Sequence, residues 1–289
     1  MTAAAWASLV NVASAPYRRA GRFAWHFARG KLNLDPVFRH LLRQGLIAPS
    51  ARVLDIGCGQ GLLASLLQSC ADLQTRQAWP AAWPTAASAA VYTGIELMQR
   101  DVDRAHAAIG QLALAPQFTC ADMRLAPLPA CSLVVILDVL HYVDHPAQQQ
   151  ILTRVRAALR AGAGTGADAG AGAAPGHGRL LLRVGDAASG RGFAISQWVD
   201  RVVTTVRGHR MPPTWGRPLA GWVSLLQRLG FTVHSVPMSQ GTPFANVLLV
   251  ADLCADSPPA ATAATAATAA FATFAVTATA TATATATTP

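Results

Sequence analysis

Charged side chains are scarce in this 289-residue chain, at 13%. That scarcity excludes a polycationic arm as the source of its basicity. Cysteines number five, Cys58, Cys70, Cys120, Cys131 and Cys254, an odd count with no Cys-x-x-Cys pair. Zinc and iron–sulfur spacings are therefore absent, and reduced thiols in a cytoplasm are the expectation. The apolar run Ala3–Ala15 ends in Ala13-Ser14-Ala15, but no Lys or Arg precedes it. It lacks the charged start of a secretory signal and reads as a poorly ordered lead-in. No apolar run is long enough to span a bilayer, because Leu133–Val143 is broken by Asp138.

What is present is apolar and mildly basic. Hydrophobic residues make up 52%, ample for the core of one α/β domain, and the formal charge is +9 with a pI of about 10.3. A basic balance favours an acidic partner: nucleic acid, an anionic membrane surface, an acidic protein or an anionic substrate. Residues 17–48 are basic and amphipathic, and Asp35-Pro36 reads as a helix N-cap followed by its first residue. Strands are expected at Arg52–Ile56, Val91–Ile95, Gln117–Cys120, Leu133–Leu137, Arg179–Val184, Phe231–Pro237 and Ala245–Val250. Helices are expected at Leu62–Cys70, after strand 2 to Ile109, and at Pro146–Leu159, Ile195–Val206 and Leu219–Leu229. Two Trp-Pro pairs make residues 71–90 a loop insertion. Ala161–Gly178 is Gly/Ala-rich and reads as a loop. The uncharged Ala/Thr tail after Ser257 reads as disordered. Strands alternating with helices predict a parallel sheet covered on both faces.

The densest signal is Arg52-Val53-Leu54-Asp55-Ile56-Gly57-Cys58-Gly59-Gln60-Gly61, a strand entering a glycine turn before a helix. Glycines there allow sharp turning and close approach of a ligand to the amides at the helix start. A dinucleotide fingerprint would need glycine at position 62, which is Leu62, and no Gly-Lys-Ser/Thr follows for a phosphate loop. Asp-x-Gly-x-Gly-x-Gly in this setting resembles motif I of the class I S-adenosylmethionine-dependent methyltransferases. Three further acids end successive strands: Glu96, Asp122 and Asp138. Any one of them alone reads as a helix cap or a loop residue; in order behind the glycine turn they carry the resemblance over about residues 30–250.

The resemblance implies a Rossmann-like α/β fold, a seven-stranded sheet ordered 3-2-1-4-5-7-6 with the last strand antiparallel. It implies S-adenosylmethionine as cofactor. Asp55 would lie near the amino group of its methionine part, Glu96 would accept from its ribose hydroxyls, Asp122 would meet its adenine amino group and Asp138 would stand beside the methyl donor, with Gly57, Cys58, Gly59, Gly61, Leu97 and Met123 also binding the cofactor. It divides the chain into a lead-in (1–30), a methyltransferase domain (31–252) with an N-terminal cap helix and a lid around 190–220, and a tail (253–289). Segments 94–104, 180–186, 198–210 and 241–250 are also similar to methyltransferases of bacterial aryl-polyene pigment biosynthesis. That likeness implies a hydroxyaryl or acid-containing acceptor, free or on an acidic acyl carrier protein. His141 is a candidate base, or a polar loop residue. His209 is a second candidate, and Arg207 and Arg210 beside it are candidates for binding an anionic substrate, or form a solvated basic loop. No metal, no DNA and no membrane span are expected. Two other readings stay open: an RNA or protein methyltransferase, prompted by the charge, and a non-catalytic protein that keeps the cofactor fold. No Asn-Pro-Pro-Tyr-type motif follows strand 4, and no RNA-binding module is appended.

Overall fold

A computed structural model of the chain describes residues 2–163, 177–187, 214–240 and 245–254. Seven strands make one sheet: β1 (Ala51–Ile56), β2 (Ala89–Glu96), β3 (Gln117–Cys120), β4 (Leu133–Leu137), β5 (His177–Gly185), β6 (Thr232–Pro237) and β7 (Asn246–Cys254). Their order is β3-β2-β1-β4-β5-β7-β6. The first five are parallel, and β7 runs antiparallel to both of its neighbours. This is the sheet that the resemblance implied.

The strands are apolar on both sides, so alternate residues feed two separate cores. Val53, Leu133, Val135 and Leu181 point to one face. Leu54, Ile56, Val134, Ile136, Leu180 and Leu182 point to the other. The first face is covered by α1 (Ala3–Ser14), α2 (Arg22–Leu34), α3 (Pro36–Arg43) and α4 (Leu62–Thr75), with the end of α5 (Gln99–Ile109). The second is covered by α6 (His145–Ala163) and α7 (Leu219–Arg228). That alternation sends Asp55 and Arg183, each two residues past a first-face side chain, toward the N-terminal helices.

The expected lead-in over 1–30 is corrected. Thr2 caps α1 by accepting the Ala5 amide at 3.2 Å. Trp6, Leu9, Val10 and Ala13 are buried on one face. Their spacing of three and four residues is that of a helix stripe, which the sequence reading treated as a featureless apolar run. The Ser65 hydroxyl on α4 donates to the Ala13 carbonyl at 2.6 Å. A short 3-10 segment, Ala15–Ala20, then leads into α2. Helical structure packed toward the sheet accordingly starts at Ala3, and β7 runs to Cys254.

Smaller differences follow from packing. The insertion is shorter than expected, because α4 continues to Thr75 and β2 starts at Ala89. Within it the Trp79 and Trp83 rings meet edge-on at 5.4 Å, and Trp83, Ala86 and Ala87 are buried. α6 extends to Ala163 and β5 begins at His177, so both reach into the expected loop Ala161–Gly178, of which residues 164–176 lie outside the described residues. The expected helix Ile195–Val206, most of the lid at 190–220 and the tail lie outside the described residues.

Candidate functional site

The carboxyl ends of β1, β2 and β4 meet at the glycine turn, the edge where open α/β sheets place their ligands. Gly57, Gly59 and Gly61 all take left-handed backbone, with φ of 77°, 55° and 72°. At two of them packing also requires glycine. A Cβ on Gly57 would lie 2.5 Å from a Val139 methyl, and one on Gly61 would lie 2.7 Å from the Phe118 ring. Gly59 differs, since a Cβ there would meet no atom of the described residues within 4 Å. Its backbone faces open space, and Cys58 beside it is buried.

Glu96 stitches the turn to β2. One carboxylate oxygen accepts the Gly59 amide at 2.9 Å and the other accepts the Met98 amide at 3.0 Å. Burial raises its pKa, and the amides from Met98 and Gly59 oppose that rise. Each oxygen retains acceptor capacity. Leu97 next to it is largely exposed for an apolar residue, at 64%.

Asp55 is buried beneath the turn, where the Tyr92 hydroxyl donates to it. Burial pushes its carboxyl up to about 7, the Tyr92 hydrogen bond opposes this, and the charge of Glu96 adds to it. Burial therefore favours the neutral carboxyl far more than it would for an exposed aspartate. Tyr17, from the 3-10 segment, is fully buried and donates its hydroxyl to the Gln60 carbonyl at 2.9 Å. The N-terminal cap therefore closes directly on the glycine turn. The Gln60 side chain is itself 2% exposed, and neither of its amide atoms finds a hydrogen-bond partner among the described residues. Tyr17→Phe removes the donor and leaves the Gln60 carbonyl unpaired inside. Stability should fall by about 1–2 kcal/mol in a urea titration; equal midpoints would contradict the contact.

Asp138 follows β4 with φ of 59°, unusual for a non-glycine residue. A buried arginine on β5 explains how that backbone is held. Arg183 Nε donates to one Asp138 oxygen at 2.8 Å, and its Nη2 bonds the other. The same guanidinium bonds both oxygens of Asp35, which caps α3 by accepting the Val37 amide at 3.1 Å. Lys31 stands 2.8 Å from Asp35. Burial alone would raise the Asp35 pKa, but Arg183 and Lys31 hold it well below the usual carboxylate range. Burial would likewise lower the Arg183 pKa, and the two carboxylates drive it up instead. Sequence reading recognised Asp35 as a cap and missed Arg183. The available signal was an arginine inside the apolar strand Leu180–Val184, where a lone charge requires a partner.

Other expected residues are placed less centrally. Asp122 is held in a fork by Arg124, with Nε 2.9 Å from one oxygen, and that arginine keeps its pKa low. The pair is largely exposed, so it contributes little to stability. Met123 is half-buried against the second core. His141 lies in a 3-10 turn, Leu140–Tyr142, three residues beyond Asp138. Its ring is tilted over Tyr142 at 4.2 Å and its carbonyl accepts the Trp215 amide at 2.8 Å. Trp222 is core, whereas Trp215 is 42% exposed. His209, Arg207 and Arg210 lie outside the described residues.

A protein family described as a methyltransferase domain matches residues 24–236. Among solved structures, an O-methyltransferase family protein from Burkholderia thailandensis is 16% identical with a TM-score of 0.51, the match covering 83% of this chain and 63% of that one. The pyocyanin biosynthetic protein PhzM is 15% identical with a TM-score of 0.50, covering 83% and 61%. The chain thus spans less than two thirds of these two relatives. Magnesium protoporphyrin IX methyltransferase from Synechocystis PCC 6803, solved with S-adenosylhomocysteine, is 17% identical with a TM-score of 0.49, covering 86% and 98%. At these identities the likeness is one of fold. No curated protein matches the chain.

Proposed function

Because the chain belongs to the methyltransferase-domain family, we propose that it methylates a small hydroxyaryl or acid-containing molecule, free or carried on an acidic carrier protein. It is an S-adenosylmethionine-dependent methyltransferase. The observation that carries the site reading is Glu96 clamped between Gly59 and Met98, with Asp55 and Asp138 at the ends of the adjoining strands. When bound, S-adenosylmethionine supplies a methyl group already made electrophilic by its sulfonium.

The residues present fit that cofactor. Gly59 leaves its backbone open to an approaching ligand, and Glu96 is fixed to accept hydrogen bonds from vicinal hydroxyls. Asp55 would face the ammonium of the amino-acid part, Asp122 and Met123 the adenine, and Asp138 the sulfonium end. The chain's share of the reaction is then to align donor and acceptor and to exclude water. The N-terminal cap, sealed on the turn by Tyr17, serves that exclusion. His141 is the candidate to take the acceptor's proton where the acceptor is a phenol. The basic segments 18–31 and 201–217 support an anionic acceptor, with Arg207, Arg210 and His209 as the residues that receive it.

Cofactor binding should depend on pH through Asp55. Only the ionised carboxylate pairs with an ammonium, and its pKa of about 7 means that binding at lower pH must first expel a proton. Affinity should therefore rise with pH, by roughly tenfold from pH 6 to 8. Calorimetry in buffers of differing ionisation heat measures it, and the slope should vanish in Asp55→Asn. A wild-type affinity flat across that range would contradict the assignment.

The acceptor class is tested with labelled S-adenosylmethionine over free phenols, hydroxyaryl acids, carrier-bound aryl acids and transfer RNA. Label on the aryl acids, reduced in Arg207→Glu/Arg210→Glu, supports the reading. Label on RNA alone overturns it.

A further inference from the structure

The reading of the cofactor site leaves Arg183 without a role, yet this arginine is 2% exposed and holds two acids that lie 103 positions apart in the chain, Asp35 and Asp138. We propose that Arg183 is a positioning residue for the cofactor site, making the docking of the N-terminal cap and the shape of the glycine turn a single equilibrium.

The connection is continuous. Asp35 closes α2, its amide bonding the Lys31 carbonyl at 3.1 Å, and it opens α3 through the Val37 amide. Its position therefore reports whether both helices are seated. Arg183 can reach Asp35 because it shares the first sheet face with Leu181, the face that the N-terminal helices cover. It reaches Asp138 because β5 pairs with β4 in register at Leu137, and the Asp138 amide bonds the Arg183 carbonyl at 3.2 Å. Asp138 is thus gripped at main chain and side chain. The next residue, Val139, presses on Gly57 so closely that no Cβ would fit between them. A shift in the Asp138 backbone must therefore be taken up by the first glycine of the turn.

The second attachment of the cap meets the same turn from its other end, where Tyr17 bonds Gln60. These two attachments approach the turn from opposite ends, and the segment Gly57–Gln60 lies between them. The guanidinium meets each of the two carboxylates in a planar bidentate fork, a geometry that a lysine ammonium does not reproduce. Arg183 touches neither reacting atoms nor, on this reading, the cofactor; it acts through Asp138 and Val139. A double-mutant cycle measures the coupling.

The inference rests on the proposed cofactor site, and two measurements separate their failures. The first needs no cofactor. Hydrogen exchange is compared between wild type and Arg183→Lys, well below the melting temperature of either. Protection should fall in both 36–43 and 57–61, whereas loss confined to 36–43 would show a local structural pair and overturn the proposal. Should Arg183→Lys fail to fold, Asp35→Asn, which keeps the side-chain shape, gives the same comparison. The second titrates S-adenosylhomocysteine calorimetrically into wild type, Asp35→Asn, Asp138→Asn and the double variant. Asp35→Asn should weaken binding about fivefold in the wild-type background and leave it unchanged once Asp138→Asn has cut the link. Additive effects, or no effect of Asp35→Asn despite a lower melting temperature, overturn it. Absence of binding by wild type would instead contradict the cofactor reading, and the exchange result would still decide the inference.

Discussion

Gly57→Ala should lower stability by about 2–5 kcal/mol and remove measurable cofactor binding. Two independent terms act together. The left-handed backbone, φ 77°, is disfavoured by about 1–2 kcal/mol for a residue with a Cβ. The added Cβ would also stand 2.5 Å and 2.6 Å from the two Val139 methyls, and overpacking of that kind typically costs about 1–3 kcal/mol. Val139 has little freedom to yield, because its β-branched side chain is stiff and its neighbour Asp138 is held by Arg183. Gly59→Ala is the natural comparison. It meets only the backbone term, since no atom of the described residues lies within 4 Å of its Cβ. It should lose less stability than Gly57→Ala and still bind cofactor poorly, because the new methyl points where the ligand approaches. Chemical denaturation and calorimetry on both variants measure the contrast, and equal stabilities for the two would contradict the packing described at Val139.

Glu96→Ala should weaken cofactor binding by about tenfold to a hundredfold. Losing charge-assisted hydrogen bonds to the ribose accounts for about 1.5–3 kcal/mol. The structure adds a second route, because alanine also releases the Gly59 and Met98 amides. Glu96→Gln separates the two routes: it keeps the side chain's length and one acceptor oxygen, and should fall between wild type and alanine. Wild-type affinity in both variants would place the site elsewhere.

The sheet was legible because its strands carry local signals that nothing distant overrides. Gln117–Cys120 and Leu133–Leu137 stand where their apolar runs and flanking turns put them. The antiparallel β7 followed only from resemblance, since nothing local in Asn246–Cys254 sets its direction. The placing of Asp55, Glu96 and the glycines at strand ends was legible because a strand running into a glycine turn is written in neighbouring residues. Side chains that reach across the fold left weaker traces. Tyr17 reads as one more aromatic in a basic helix, yet it bonds a turn 43 residues away. Arg183 was visible as an anomaly within its strand, but its two partners lie on separate elements. α1 was misread because the stripe Trp6, Leu9, Val10 and Ala13 sits in an uncharged, largely apolar run, and it shows as a buried face only once α4 supplies the surface to cover it.

The central claim is that the carboxyl ends of β1, β2 and β4 hold S-adenosylmethionine through Asp55, the glycine turn, Glu96 and Asp138. Hydrogen exchange of the purified chain with and without saturating S-adenosylhomocysteine tests it most directly. The account predicts new protection at 55–61, 96–98, 122–123 and 138–139, with little change along β6 and α7. No protection at any concentration, or protection elsewhere with the glycine turn unaffected, would contradict it.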